Sequence, residues 1–398
     1  MEEKNRSVQE GGQTNYVTRL LRSPSEIEPG PWNELLELQS QPTPFMRHEY
    51  LLALHDSGSA HPQTGWAPCF ITLWCDDILE AACPVYLKTH SYGEYVFDWS
   101  WASAYKRHGL DYYPKCVVAV PFTPVTGSRL LARSEPWRAA LVDELLRVVQ
   151  QLQASSLHVL FASDDELQAC QRAGLMLRHT VQFHWTNALP GYRDFDHFLN
   201  QLTQEKRKKI RQERRKVREA GVQIRCSHGR AIATADWEFF YQCYCQTYAE
   251  HGNPPYLSKA FFLQHMAQCL PESWLLFMAE RDGRPIATSL IAIDPARKIA
   301  YGRYWGALER VDCLHFDLCY YQPIEWCIEH GYERFEGGAQ GEHKLSRALL
   351  PVRSSSAHWI VHAGFAQAVA RALNQEQEAV GDYMAELELH QPFKQTQG

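Results

Sequence analysis

Two stretches of the chain, one starting at Leu73 and one at Met278, share a layout. LWCDDILEAACPVYLK…GEYVFDWSWA and MAERDGRPIATSLIAI…KIAYGRYWGA each read as strand, acidic turn, strand, turn and a strand ending in aromatics and a small residue. Each is followed later by a helical pattern and an apolar strand. A spacing of roughly 200 residues signals a duplicated domain, since solenoid repeats run at about 20–50 residues. A chain of 398 residues has room for two such domains.

In the first half, strands are expected at 16–21, 69–75, 78–88, 92–99, 116–121 and 157–162. Pro84 marks an edge or a bulge in the third of these segments. Helices are expected from Trp32, over 45–55, over 135–153 and over 165–173. In the longest, Trp137, Leu141, Leu145, Val148 and Leu152 recur at helical spacing. The second half predicts strands at 274–280, 284–293, 298–305 and 332–336, with the hairpin turn Asp282-Gly283 between the first two. A helix over 315–330 carries Pro323, which removes one hydrogen bond or kinks it. Residues 1–15 read as a disordered tail. The expected domains are 16–185 and 186–375, the second including a basic helix at 204–219, followed by a C-terminal helix and tail at 376–398.

Charge is concentrated. Helix 204–219 holds nine Lys or Arg against three Glu, in a chain of net charge −6. The protein as a whole is therefore no DNA binder, but it carries one anion-attracting stripe. Arg207, Arg211, Arg214 or Arg215, and Arg218 share one helix face, while Ile210 and Val217 lie on another. Arginine grips phosphate with two N–H groups, so a phosphorylated ligand suits that face. A solvated charged surface or an RNA contact fits it too.

The twelve cysteines are scattered, without C-x-x-C pairs. They read as reduced thiols without a metal site. No apolar run approaches the roughly 20 residues of a membrane span, and no secretory signal is recognisable at the N-terminus. A cytoplasmic location is the default, with contact at a membrane surface left open. G-x-S-x-G, Walker A, HExxH and Rossmann signatures are absent, which removes most hydrolase, ATPase and NAD-dependent readings.

The densest chemistry lies at 336–344: Glu336, Gly337, Gly338, Ala339, Gln340, Gly341, Glu342, His343 and Lys344. Three glycines after an apolar strand permit positive φ and close approach to a ligand. His343 and Glu342 suit proton transfer, and Lys344 suits developing negative charge. A tight turn with exposed charge is the plain alternative. His251 and Tyr256 stand in a loop before a helix that Ser258 would cap.

Three stretches resemble a known family. Residues 202–224 (LTQEKRKKIRQERRKVREAGVQI) are similar to the basic helix of FemABX-like transferases. Residues 331–351 (GYERFEGGAQGEHKLSRALLP) are similar to their strand, Gly-rich turn and lysine motif. Residues 97–131 look like the branch of N-acyltransferases linked to peptidoglycan biosynthesis. The strand order resembles that of GNAT acyltransferases. The resemblance implies an α/β fold of tandem GNAT-like domains, each a mixed, mostly antiparallel twisted sheet flanked by helices.

It implies an N-acyltransferase or aminoacyltransferase acting on an amine, such as that of a cell-wall precursor. Acyl-CoA or aminoacyl-tRNA would be the co-substrate, with no tightly bound cofactor. The partners would be a small or nucleotide-linked substrate and tRNA; the oligomeric state stays open. Lys344 takes the place of the family's motif lysine, while His343 stands where those relatives have an aromatic residue. Glu342, His343, Lys344 and Glu336 form the expected catalytic group. Arg207, Arg211, Arg303 and Arg129 would hold phosphate, the last in a loop, 121–131, that resembles a phosphate site. His251, Tyr256, Tyr304, Trp305 and Gln340 would line the acceptor cleft. The loop 307–314 lacks the GNAT pyrophosphate signature. That departure leaves a second reading, a non-catalytic binding protein for a phosphorylated ligand or RNA.

Overall fold

A computed structural model describes residues 3–9, 13–188, 190–339 and 341–394. The chain divides into two compact units, residues 1–180 with 354–380, and residues 181–353 with 381–398. The first unit contains β1 (Glu3–Gln9), β2 (Gln13–Leu21), α1 (Pro29–Glu37), α2 (His48–Asp56), β3 (Trp66–Pro68), β4 (Phe70–Cys75), β5 (Ile78–Cys83) and β6 (Val85–Lys88). It continues through α3 (Trp99–Arg107), β7 (Lys115–Val118), β8 (Leu131–Ala132), α4 (Glu135–Gln151), β9 (Ser156–Val159) and α5 (Asp164–Arg172). β10 (Met176–Thr186) leads into the second unit, with α6 (Phe195–Gln201), α7 (Gln204–Glu219), β11 (Val222–His228) and α8 (Thr234–Glu250). There follow β12 (Trp274–Arg281), β13 (Arg284–Asp294), β14 (Ile299–Ala307), the helix α9 over 314–329 and β15 (Arg334–Ala339). β16 (Leu350–Ile360) and α10 (Ala363–Leu389) complete the chain.

In the first unit, one sheet has the order β1-β2-β4-β5-β8. A second run has the order β16-β9-β7-β6-β3, in which β7 and β9 are parallel. Pro84, without an N–H, ends β5 and lets β6 begin in the other sheet. The strand faces alternate. Cys116, Val118, Leu157 and Val159 turn toward Leu141, Leu145 and Val148 of α4 and form an apolar core. The opposite face carries Lys88, Lys115, His158 and His358, whose backbones pair as Lys88↔Lys115 and His158↔His358.

Two expectations are corrected in this unit. Residues 3–9 and 13–21 form a hairpin rather than a tail, because β2 pairs along β4 and gives β1 an edge. Residues 92–99 form no strand. Glu94 and Asp98 turn inward to Lys115, which donates to Glu94 at 2.7 Å, to Ser91 at 2.8 Å and to Asp98. A buried lysine needs those acceptors, and the apolar alternation of this segment conceals that demand. The counterpart of β14 is therefore β7.

In the second unit the order is β11-β12-β13-β14-β15-β10. All pairs are antiparallel except β14–β15. α8 packs on β13 and β14; at Gly306 a Cβ would lie 2.1 Å from the Cys243 carbonyl oxygen, so only glycine allows that approach. α9 and α7 share the core of the other face, built on Phe335, Ala300, Trp185, Leu318 and Ile210. The expected boundaries shift: residues 354–380 belong with the first unit, since Ala357–Ile360 pairs with β9. No helix among the described residues is long and apolar enough to cross a membrane.

Candidate functional site

The basic helix builds the site from its buried stripe. Ile210, Glu213 and Val217 face the core. An acid on an apolar stripe must be paired. Arg347 donates to both Glu213 oxygens, at 2.9 and 3.1 Å, and Tyr321 donates its hydroxyl to the same carboxylate. The Arg347 guanidinium lies 3.4 Å from the Phe316 ring centroid and donates to the His343 carbonyl at 2.6 Å. Helix α7 thus holds the turn that presents His343 and Lys344. Glu213 and Arg347 were missed by motif reading; the signal was an acid in register with Ile210 and Val217.

The outer face of α7 borders an open groove of about 1050 Å³, lined by Arg207, Lys208, Arg211, Arg215 and Arg218. Arg207 donates to Asn200 at 3.2 Å and Arg211 to Asp196 at 3.0 Å, both at exposed positions. Such pairs contribute about 0–1 kcal/mol, so both arginines are readily available to an anion. Arg214 is committed elsewhere, to Glu325 at 2.6 Å and Asp317 at 3.4 Å.

The Gly-rich turn is shaped by close packing. A Cβ on Gly337 would lie 2.3 Å from Leu349 Cδ2, and Gly338 and Gly341 take φ of 79° and 104°. Lys344 is buried, and its Nζ donates to the Gly338 carbonyl at 2.9 Å. Burial pulls its pKa down to about 8. His343 Nε2 lies 3.0 Å from the Tyr320 hydroxyl, and its ring packs near His315, Phe316 and Tyr320. Burial, then Arg347 and Lys344, lowers its pKa, favouring the neutral imidazole. The π-helical turn Asp317–Tyr321 turns two successive tyrosines inward, Tyr320 to His343 and Tyr321 to Glu213. Glu342 is exposed and accepts from Tyr383 of α10 at 2.9 Å.

The four expected catalytic residues do not share a face. Glu336 pairs with Tyr301 of β14 and His184 of β10, so these three side chains lie on one face. Gly337 points the other way, where its added Cβ would meet Lys344 Cδ at 3.4 Å. Lys344 and His343 are thus on the α9 side and Glu336 on the α8 side. Burial pushes the Glu336 carboxyl up to about 7, against the pull of Arg334, whose Nε is 3.1 Å away. Burial takes His184 down to about 3.

The remaining expected residues also divide. Tyr304 packs with Phe240, Tyr244 and Phe262, and Arg303 donates to its hydroxyl at 3.1 Å. Trp305, one residue on, lies against His315 on the α9 side. Tyr256 packs on Tyr248, near the end of α8. His251 caps that end with Nδ1 2.7 Å from the Thr247 carbonyl, an exposed helix terminus rather than a cleft. Gln340 lies outside the described residues. Arg129 is corrected: it is fully buried and donates to the Val125 and Ser128 carbonyls, so it faces no ligand. Its loop is held by Glu166, which accepts from the backbone of Arg129 and Leu130. Among the described residues no group of three or more His, Cys, Asp or Glu is placed to hold a metal ion.

The fold is a two-unit α/β architecture of mixed, mostly antiparallel sheets flanked by helices. The chain belongs to the FemAB-like family, described as peptidoglycan biosynthesis/recognition, which matches residues 23–395. Among solved structures it is similar to FemX, at 11% identity, TM-score 0.54, covering 86% of this chain and 98% of that one. It is also similar to L-PGS from Bacillus licheniformis, at 10% identity, TM-score 0.51, covering 89% and 97%. A conserved protein of unknown function from Bacteroides thetaiotaomicron matches at 8% identity, TM-score 0.51, covering 86% and 99%. No curated protein sequence matches the chain.

Proposed function

We propose that this protein transfers an acyl or aminoacyl group from an activated ester or thioester to an amine, with a cell-wall precursor as the acceptor class. The observation that carries this is the end of the β14–β15 ladder. Pairing stops at Tyr301↔Glu336. Beyond it the strands carry Gly302, Gly337 and Gly338, with the buried Lys344 ammonium at the Gly338 carbonyl. Glycine backbone open to close approach, beside an ammonium, suits an oxyanion forming on an acyl carbon. At a pKa of about 8, Lys344 is mainly protonated at neutral pH. The amine attacks, the C–N bond forms and the bond to the sulfur or oxygen leaving group breaks. No covalent enzyme intermediate is needed. The groove along α7 would take the phosphates of donor or acceptor through Arg207 and Arg211. The setting for this reaction is the cytoplasm.

Acyl-CoA and aminoacyl-tRNA are the two donor classes. Thermal unfolding with coenzyme A and acetyl-CoA separates them. At 100 times Kd a ligand adds about 2.7 kcal/mol, roughly 5–10 °C for a unit near 200 residues. A shift of that size identifies CoA chemistry. No shift directs the assay to charged tRNA. Failure of transfer from both donors overturns the enzymatic reading. The half-buried Arg207 and the exposed Arg211, both lining the groove, favour a second reading, a binding protein for a phosphorylated ligand or RNA. It requires ligand retention that Arg207→Glu with Arg211→Glu abolishes, without turnover.

A further inference from the structure

Equivalent ladder rows in the two units are built differently. In the first unit β7, β9 and β16 align Val117, His158 and His358. The two histidines face each other, with Nδ1 to Nδ1 at 2.8 Å. His158 is further held by Ser156 at 2.8 Å and Tyr112 at 3.2 Å. In the second unit β14, β15 and β10 align Tyr301, Glu336 and His184. Here the facing atoms, Glu336 Oε2 and His184 Nε2, are 3.8 Å apart, and among the described residues neither has a hydrogen-bond partner. Both side chains are more than nine-tenths buried. A buried carboxylate oxygen without a donor costs about 1–3 kcal/mol or more. A donor brought by a bound amine would relieve that cost.

We propose that Glu336 accepts the proton of the attacking amine on the α8 face, and that His184 is the residue that positions its carboxylate. The inference rests on the acyl-transfer reading. Glu336 and Lys344 flank the same two glycines from opposite faces, so an acyl carbon at the ladder's end has a base on one side and an ammonium on the other. The half-buried Arg303, whose charge acts on Glu336, and Tyr304 on the α8 side border the approach of the amine. The neutral amine forms the C–N bond and gives one proton to Glu336. The leaving sulfur or oxygen departs with its electron pair and takes a proton from Lys344. Exchange with water restores both groups. The charged and titratable neighbours of the Glu336 carboxyl are Arg334 on its own strand, Arg303 and Tyr301 on β14, and His184 on β10.

The test uses the full chain with acetyl-CoA or total aminoacyl-tRNA as donor and a lysine-containing muropeptide as acceptor. Glu336→Gln is expected to lower kcat by about 100-fold, and formate is expected to restore turnover to Glu336→Ala. His184→Leu is expected to move the acidic limb of the kcat profile to higher pH with KM unchanged, and His184→Gln to restore it. Full turnover in Glu336→Gln, or no formate rescue, overturns the proposal while loss of turnover in Lys344→Ala preserves the acyl-transfer reading. Should neither donor support transfer, that reading falls, and isotope-edited titration of the Glu336 carboxyl decides the pairing. Identical titration in wild type and His184→Leu overturns the pairing.

Discussion

The two units share one topology and treat its centre in opposite ways. Each has antiparallel strands, a helix and a final parallel strand, β7–β9 in the first and β14–β15 in the second. In the first unit the chain beyond the parallel ladder carries Ala119, Val120, Leu160 and Phe161, all buried. The Leu160 N–H is still bonded to the Val118 carbonyl at 2.9 Å. In the second, the corresponding positions carry Gly302, Arg303, Gly337 and Gly338, with the buried Lys344 beside them. Filling with side chains makes a core; glycines leave backbone open to close approach beside the Lys344 ammonium. The polar row of the first unit is gathered around Lys115, although Glu94 Oε1, Asp98 Oδ1 and His358 Nε2 have no hydrogen-bond partner among the described residues. Lys115 is held by Ser91, Glu94 and Asp98, and Asp98 also accepts from Tyr112 at 2.6 Å. Burial raises Glu94 to about 7 and lowers Lys88 to about 7, both near neutrality. On the proposed mechanism the first unit is scaffold and the second the chemical unit.

That contrast is breakable. Lys115→Met leaves two buried acids without their cation, and its expected cost is about 3–5 kcal/mol, read by urea unfolding. Turnover per folded molecule should stay unchanged; a loss of kcat in the folded fraction would place chemistry in the first unit as well. Lys344→Ala should lower kcat by about 10²–10³ with the unfolding midpoint nearly kept. Unchanged turnover would remove Lys344 from the reaction. Gly337→Ala drives a methyl into Leu349 and should cost about 1–3 kcal/mol, with a larger drop in kcat than in stability if the turn positions Lys344. Arg207→Ala with Arg211→Ala should raise KM about tenfold and flatten its salt dependence, leaving kcat alone.

The smallest effect is the pH profile. Glu336 must be ionised to take a proton, so activity should rise through about pH 7. Lys344 must be protonated to meet the oxyanion, so activity should fall through about pH 8. A narrow bell between those limbs is expected from initial rates. An acidic limb unmoved by Glu336→Gln would assign that limb to another group, such as His343.

Much of the frame was legible because it is periodic. Helix 204–219 appears at its expected bounds, and 135–153 closely matches α4. The strands of the second unit follow from apolar runs punctuated by Asp282-Gly283 and Lys298, both turns. The Gly-rich turn and Lys344 stood out by composition. Segment 92–99 misled because Tyr95, Phe97 and Trp99 alternate as in a strand while Glu94 and Asp98 carry the decisive contacts. β10 and β16 went unread, since their partners β15 and β9 lie far along the chain.

Local composition and spacing determined that this protein is built from two α/β units, carries one basic helix and concentrates its reactive groups after one strand. Short-range forces act between residues a few positions apart, and their periodicity survives in the sequence. Only the tertiary structure decided that Glu336 and Lys344 lie on opposite faces, that Glu213 reaches Arg347, that His184 meets Glu336 and that Arg129 is sealed in a core. Those outcomes depend on strand register and on pairing between distant segments. A shift of one residue in register would exchange the faces.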